Sequence, residues 1–337
     1  KEHNSENDEE SEFSGSEQTT NKEPRRPSRG YRKVIDYRKK TKAWYKAFLA
    51  GNVLTCWRPS LKHWKKFPAS EAEHYLPVRK MSPVFKIEAV NKKKWTPEQD
   101  KEYQLPLFSS APINSAGGLC NVTFNVGGSV WAMDWAPIPV GEENCDQYLA
   151  IGCHSDPDKK HLLSECYKEK GVLQIWRVPK LRNGIRPTEQ PEFCLGIVHD
   201  YGPVWDARWC PSGAWDPLSP QDGELRRLGL LALACADGRV RIFSVPFPCS
   251  LMKNDGGEAG KSPSDILYRA VPHMVLSPGS LCRKYQDECG PAWTVSWQPI
   301  NGHNKVIASY ADGTVAIWNL KTENRILKAA TPDGLTE

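Results

Sequence analysis

One eight-residue phrase occurs three times in this chain. It reads VWAMDWAP at Val130–Pro137, VWDARWCP at Val204–Pro211 and AWTVSWQP at Ala292–Pro299. The shared frame is (V/A)-W-x-x-x-W-x-P, so six of the thirteen tryptophans fall at equivalent positions. A rare residue, paired three times at one spacing, marks a repeated structural unit. The chain is therefore built by stacking copies of one supersecondary element.

The residues downstream of each phrase identify that element. After the first come Tyr148–His154 and Gly171–Val178, after the second Leu228–Val245, after the third Lys305–Leu320. These stretches are rich in Val, Ile and Leu, and two of them are split by Asp237-Gly238 and Asp312-Gly313. An Asp-Gly pair between apolar runs predicts a two-residue hairpin turn. A further strand is expected ahead of each following unit, at Leu119–Val126, Pro191–Val198, His273–Ser277 and Glu323–Ala329. Four short antiparallel strands per repeat predict an all-β fold, a β-propeller with about three recognisable blades and an incomplete ring.

The third unit, Tyr310-Ala311-Asp312-Gly313-Thr314-Val315-Ala316-Ile317-Trp318, resembles the WD-repeat family most closely. The resemblance implies a hydrogen-bonded tetrad of His, Ser/Thr, Asp and Trp inside each blade. Carried over by residue, unit two offers His199 and Asp237, with Cys235 and Phe243 in place of the hydroxyl and the indole. Unit three offers Asp312 and Trp318, with Tyr310 at the hydroxyl position, and unit one keeps Trp176. With tetrads so degenerate, packing of the Trp-rich strands is expected to hold the blades together.

Closed propellers have about four to eight blades. Three, with a first residue that is not Met, lead to the expectation of a fragment whose remaining blades lie beyond Glu337. Pro83–Val90 adds at most a strand. The expected organisation is an acidic disordered tail (1–23), a basic, aromatic-rich arm (24–70), a linker with a possible strand (71–117) and the partial propeller (118–330).

The front of the chain changes sign. Residues 1–23 carry eight acids and two lysines, net −6, too polar to bury surface against their ordering entropy. From Pro24 to Lys66 fourteen Lys/Arg face one acid, net +13, within a chain whose total is only +5. Tyr31, Tyr37, Trp44, Tyr45, Phe48, Trp57 and Trp64 are interleaved with that charge. Lys and Arg bind phosphate by releasing counterions, and aromatic faces stack on bases. Arg25, Arg26, Arg29, Arg32, Lys33, Arg38, Lys39, Lys40 and Lys42 are the candidate nucleic-acid contacts. Two readings stay open beside that one: an amphipathic helix over Tyr37–Ala50 docked on the propeller or a partner, and a nuclear-import signal at Pro24–Gly30.

Within the phrases, Trp135, Trp209 and Trp297 at position six are expected in the core. Trp131, Trp205 and Trp293 at position two are candidate partner contacts near the central channel, with packing between blades as the alternative; an intervening bulge decides which face they take. Cys145, Cys153, His154, His161 and Cys166 are zinc-type ligands without a Cys-x-x-Cys clasp, so no metal and no cofactor is expected. The eleven cysteines are read as reduced. No Ser-His-Asp set or HExxH is present. Gly256–Ser262 ends like a phosphate loop, but Asp255 holds the place of its leading glycine. No enzyme is expected, no secretory signal is found, and no apolar run nears the roughly 18 residues of a membrane span.

Val130–Pro139, Gly202–Asp216, Leu231–Pro246 and Ser309–Leu320, together with His74–Phe85 and the basic region, are similar to the WD-repeat beta-subunit family of general transcription factor IIIC. That resemblance implies a nuclear, non-catalytic scaffold within this factor. Its partners would be the other IIIC subunits and promoter DNA of transfer-RNA and related genes read by RNA polymerase III. The alternative is a nuclear WD-repeat adaptor of a chromatin or ubiquitin-ligase complex. Contacts are expected from the rims and from two insertions, Ser155–Lys170 and Lys253–Asp265.

Overall fold

The computed structural model describes residues 54, 56–87, 101–111, 122–138, 145–156, 158–162, 165–180, 189–211, 215, 225–254, 262–278, 289–299 and 301–321. The acidic tail, the nine candidate DNA-contact residues, the Tyr37–Ala50 helix, the Glu323–Ala329 strand and the Gly256–Lys261 loop all lie outside them.

In chain order the strands are β1 (Trp64–Lys66), β2 (Phe85–Ile87), β3 (Lys101–Tyr103), β4 (Val130–Trp135), β5 (Gln147–Cys153), β6 (Gly171–Val178), β7 (Glu192–His199) and β8 (Val204–Trp209). They continue as β9 (Arg227–Cys235), β10 (Val240–Pro246), β11 (Leu267–Ala270), β12 (Met274–Leu276), β13 (Ala292–Trp297), β14 (Lys305–Tyr310) and β15 (Val315–Asn319). Helices are short: α1 (Ala69–Ala72) and α2 (Pro248–Asn254). None of the described helices is long and apolar enough to cross a membrane.

The strands form three successive blades. Blade one is β4-β5-β6-β7, all antiparallel, extended by β11, which runs parallel to β7, and by β1. Blade two is β8-β9-β10-β12 and blade three is β13-β14-β15. Each tryptophan phrase is the first, innermost strand of its blade, and β8 packs on β4 and β5 just as β13 packs on β8 and β9. The fold is an all-β, WD-repeat-type propeller with three blades and no closed ring among the described residues. The strands before units two and three stand where Pro191–Val198 and His273–Ser277 predict them, as β7 and β12. Leu119–Val126 does not. Among its described residues only Phe124 makes a bridge, to Ser110, and Val122, Phe124 and Val126 pack as a cover over blade one. Backbone hydrogen bonds of 2.8–2.9 Å join Phe108, Ser109 and Ala111 to Thr123 and Asn125, and ring contacts add to them, Phe124 meeting Trp176 at 4.4 Å and Phe108 meeting Phe193 at 4.2 Å. β2 and β3, around the Pro83–Val90 candidate, form a separate hairpin.

The Asp-Gly turns differ from the two-residue hairpin. Gly313 donates its N–H to the Tyr310 carbonyl at 3.1 Å, and the Tyr310 N–H donates to the Thr314 carbonyl at 2.9 Å. Cys235, Gly238 and Arg239 repeat the pattern at 3.1 and 3.2 Å. Only the glycines have positive φ, +79° and +90°, whereas the two-residue type I′ turn needs it at both central residues. The chain therefore makes three-residue loops, each a turn closed by a left-handed glycine. Asp312 stabilises one of them by accepting from the Thr314 N–H and Oγ1–H at 2.8 and 2.9 Å.

The tetrads are replaced as well. Asp237 receives a two-pronged salt bridge from Arg241 at 2.8 and 2.6 Å, with both side chains buried, and does not meet His199. The Arg241 guanidinium lies 3.6 Å from the Tyr201 ring centre, and Tyr201 stacks on His199. A buried carboxylate needs a cation within reach, and arginine supplies both charge and directed donors. The Trp176 indole donates to Gln174 at 2.9 Å, and the Gln174 amide donates to the Val126 carbonyl at 2.9 Å. Trp318 donates to the Ser277 carbonyl at 3.3 Å.

Candidate nucleic-acid and partner interfaces

The position-two tryptophans owe their placement to a repeated bulge. In all three phrases the register skips the second residue: Val130 faces Cys153 while Ala132 faces Gly152, Val204 faces Cys235 while Asp206 faces Ala234, and Ala292 faces Tyr310 while Thr294 faces Ser309. The extra residue is Trp131, Trp205 or Trp293. A bulge re-aims the side chain it carries, and here it lines the three indoles into a ladder. Trp131 meets Trp205 at 5.0 Å edge to face, and Trp205 meets Trp293 at 4.8 Å. The three are unequal: Trp205 is buried, Trp293 half-buried and Trp131 exposed.

Position six is split in the same manner. Trp209 and Trp297 are buried, as a core role predicts, but Trp135 is 48% exposed. The difference lies in what packs against each. The Trp209 indole N–H donates to the Asp134 carbonyl at 3.1 Å, and the Trp297 indole N–H donates to the Arg208 carbonyl at 2.9 Å. Asp134 and Arg208 both hold position five of the preceding phrase. Carboxylates add a second tie: Asp134 accepts the Trp209 amide at 2.8 Å and Asp206 accepts the Val295 amide at 3.1 Å. Burial raises the Asp134 pKa above the ordinary carboxylate value, and its backbone hydrogen bonds oppose that shift.

A histidine cluster abuts the ladder. His154 stacks on Trp131 at 5.2 Å and meets His161 edge-on at 4.9 Å. His161 faces the Glu169 carboxylate through Nε2 at 3.1 Å, and Lys159 pairs with the same carboxylate at 2.7 Å. So the Ser155–Lys170 insertion folds back on blade one and lines a small cleft with His154 and His199. Within it His154 Nε2, His161 Nδ1 and His199 Nδ1 are buried without a partner. Burial lowers the pKa of His154 and, with help from Arg241, takes that of His199 down to about 4. Of the zinc-type residues, Cys153 bonds elsewhere, to Val126 and Gln174. Among the described residues no three His, Cys, Asp or Glu converge on a point where a metal could sit.

The described end of the basic arm is a strap laid across two blades. The Arg227 guanidinium, buried at the start of β9, donates to the carbonyls of Leu54 and Trp57 at 3.0 and 2.9 Å. Ser244 Oγ donates to the same Trp57 carbonyl at 2.7 Å, and Trp57 stacks on His273. Further on, β1 pairs with β11, burying Trp64 while Lys65 and Lys66 face outward. Tyr75 then ties the segment after α1 to blade one by donating to Asp200 at 2.8 Å, with Arg269 bridging to both at 2.7 Å. Thus Trp57 and Trp64 are docking residues, while Lys62, Lys65 and Lys66 stay exposed. β1, read as Trp-Lys-Lys and buried only at its first residue, has no alternation to announce it, and its partner β11 lies about 200 residues on.

Trp-framed blades tied by indole-to-carbonyl bonds make this a WD-repeat-type propeller protein. No family model matches the chain. It is similar to general transcription factor 3C polypeptide 2 of Homo sapiens and of Pongo abelii, 35% identical to each over 280 residues. The match takes in 82% of this chain, which spans only about 30% of the length of those relatives. It is also 28% identical over 125 residues to transcription factor tau subunit sfc6 of Schizosaccharomyces pombe, across 36% of this chain and 18% of that one. The resemblance carried by the tryptophan frames is thereby borne out: the chain is a relative of general transcription factor IIIC subunits. Among solved structures, a chain of the Chaetomium thermophilum polycomb repressive complex 2 bound to GSK126 aligns over 66% of this chain and 34% of that one, at 15% identity and a TM-score of 0.34.

Proposed function

We propose that the chain is a non-catalytic scaffold subunit of general transcription factor IIIC, acting in the nucleus in RNA polymerase III transcription of transfer-RNA and related small-RNA genes. The observation that carries this is the 35% identity over 280 residues with a protein named as a subunit of that factor. The relatives are named as transcription factor subunits, which supports a binding role over an enzymatic one. In this reading the blades are a rigid platform for sister subunits. Trp131 is the accessible rung of the ladder, and the Ser155–Lys170 insertion is held in place beside it. Trp205, being buried, acts as support rather than contact.

The second half of the reading concerns DNA. Arg25, Arg26, Arg29, Arg32, Lys33, Arg38, Lys39, Lys40 and Lys42 precede the strap and would add phosphate contacts that raise affinity without reading sequence. Because Leu54, Trp57 and Trp64 are docked, a truncation that removes the basic stretch alone ends at residue 53.

Affinity capture of the tagged chain from nuclear extract, beside a version lacking residues 1–53, tests the assignment. Both versions should recover other IIIC subunits. Loss of those subunits on truncation would move assembly to the arm, and recovery of a ligase or chromatin complex would overturn the proposal.

A further inference from the structure

Three imidazoles reach one cleft from three separate stretches of chain. His154 follows β5, His161 sits in the Ser155–Lys170 insertion and His199 closes β7. Each is more than nine-tenths buried: His154 and His199 are 7% and 4% exposed, and the His161 side chain is 4% exposed. Yet His154 Nε2, His161 Nδ1 and His199 Nδ1 have no hydrogen-bond partner among the described residues. Buried polar atoms nearly always find a partner, in protein or in held water. Three orphans in a single cleft point to a shared one.

The size of the cleft selects the ligand. It measures about 10 Å³, at the lower bound of the roughly 10–15 Å³ that one water needs. Phosphate, a nucleotide or an aromatic ring is too large for it. A metal fails on reach: imidazole nitrogens bind zinc at about 2.0–2.1 Å, and no three ligands among the described residues approach one point that closely. A water meets its partners at about 2.7–3.2 Å and so gathers nitrogens that stand further apart. Gly171 keeps the space open, since a Cβ there would lie 3.0 Å from His199 Cε1.

The geometry points to one water held by all three imidazoles, fastening the insertion to the ends of β5 and β7. His161 Nε2 lies 3.2 and 3.1 Å from the two Glu169 oxygens, so that nitrogen carries the proton and Nδ1 of the neutral ring is a bare lone pair. The water donates one O–H to it. Its other O–H serves only one of His154 Nε2 and His199 Nδ1, so at least one of those two turns an N–H to the water oxygen. Burial keeps both rings neutral, and a single water is too little to solvate an imidazolium. The water thereby also fixes the ring on which Trp131 stacks. The site is independent of a role in transcription.

A high-resolution crystal structure of the chain tests this directly. One oxygen-sized peak should lie within about 2.7–3.2 Å of all three nitrogens. No peak, a peak that reaches fewer than three of them, or a metal coordinated at about 2.0–2.1 Å overturns the proposal. Heteronuclear NMR of the histidine rings at mildly alkaline pH gives a second reading without substitution. His161 should carry its proton on Nε2 alone, and His154 Nε2 and His199 Nδ1 should not both be bare. A proton on His161 Nδ1, or lone pairs at both other positions, contradicts the site.

Discussion

Trp209 is held to Asp134 by two hydrogen bonds at once. Its indole N–H reaches the aspartate's carbonyl at 3.1 Å, and its backbone N–H reaches the aspartate's carboxylate at 2.8 Å. The two residues lie 75 positions apart on adjacent inner strands. Trp297 and Arg208 repeat the first of these bonds. The recurring join between blades is thus a backbone carbonyl meeting an indole, which explains how the stack tolerates degenerate tetrads inside each blade.

Replacing the indoles by phenyl rings ranks these joins. Trp209→Phe and Trp297→Phe each remove the donor of a part-buried hydrogen bond, at a cost of about 0.5–1.5 kcal/mol in addition to the packing that disappears. Trp135→Phe, on the bare face, should cost residues 1–337 less than about 0.5 kcal/mol. Denaturant midpoints compare the three directly. Equal losses at all three positions would remove the rule.

The Asp237–Arg241 pair should behave as a buried ion pair. Arg241→Met leaves a carboxylate without its cation and is expected to cost about 3–5 kcal/mol. Adding Asp237→Asn to it should recover part of that loss, because no buried charge then remains. Thermal unfolding of the single and double variants checks the ordering; a double variant less stable than Arg241→Met contradicts it.

Acid should weaken the fold through His199. Its folded pKa of about 4 lies below the ordinary value of 6.5, so the unfolded chain binds the proton more readily. The contribution is whole above about pH 6.5 and is lost as pH falls towards 4, on the order of 3 kcal/mol in all. Carboxylates titrate over the same range, so the measurement is a difference. His199→Phe should flatten the stability–pH curve between pH 6.5 and 4 relative to the unsubstituted chain. An unchanged slope would mean that the imidazole is hydrated in the folded state.

Arg227→Met should loosen the strap. It removes the guanidinium donor from the carbonyls of Leu54 and Trp57, leaving Ser244 Oγ on the latter, while β1 keeps its pairing. Trypsin is expected to cut at Lys62, Lys65 and Lys66 several-fold faster. If the rate holds, ring packing by Trp57 and Trp64 suffices to anchor the arm.

Blades were legible in the sequence because their signals are local and repeated: Val204–Trp209, the Val-rich runs and the strands at Glu192–His199 and Met274–Leu276 all announce themselves. The features that stayed hidden depend on partners far along the chain. Leu119–Val126 has strand-like composition, but its neighbours, Ser109 and Ala111, offer only a short bridged segment. Asp237 carries the family's turn position, yet Arg241, four residues on, takes the bond expected of His199. The bulge at Trp131, Trp205 and Trp293 is invisible in a single phrase, since an extra residue shows only against its pairing strand. Trp57 and Trp64 sit among lysines in sequence, and only Arg227 and β11 reveal them as a fastening.

The division of labour between a docked propeller and a phosphate-binding arm is the central claim, and a salt titration of DNA affinity tests it most directly. The chain is compared with a form in which Arg25, Arg26, Arg29, Arg32 and Lys33 are changed to Gln. Every phosphate that loses its cation should reduce the slope of log affinity against log salt by about 0.9, so the slope should fall by up to roughly 4.5. The account predicts that flattening with the thermal stability of the blades unchanged. An identical slope for both forms would show that the arm does not touch phosphate.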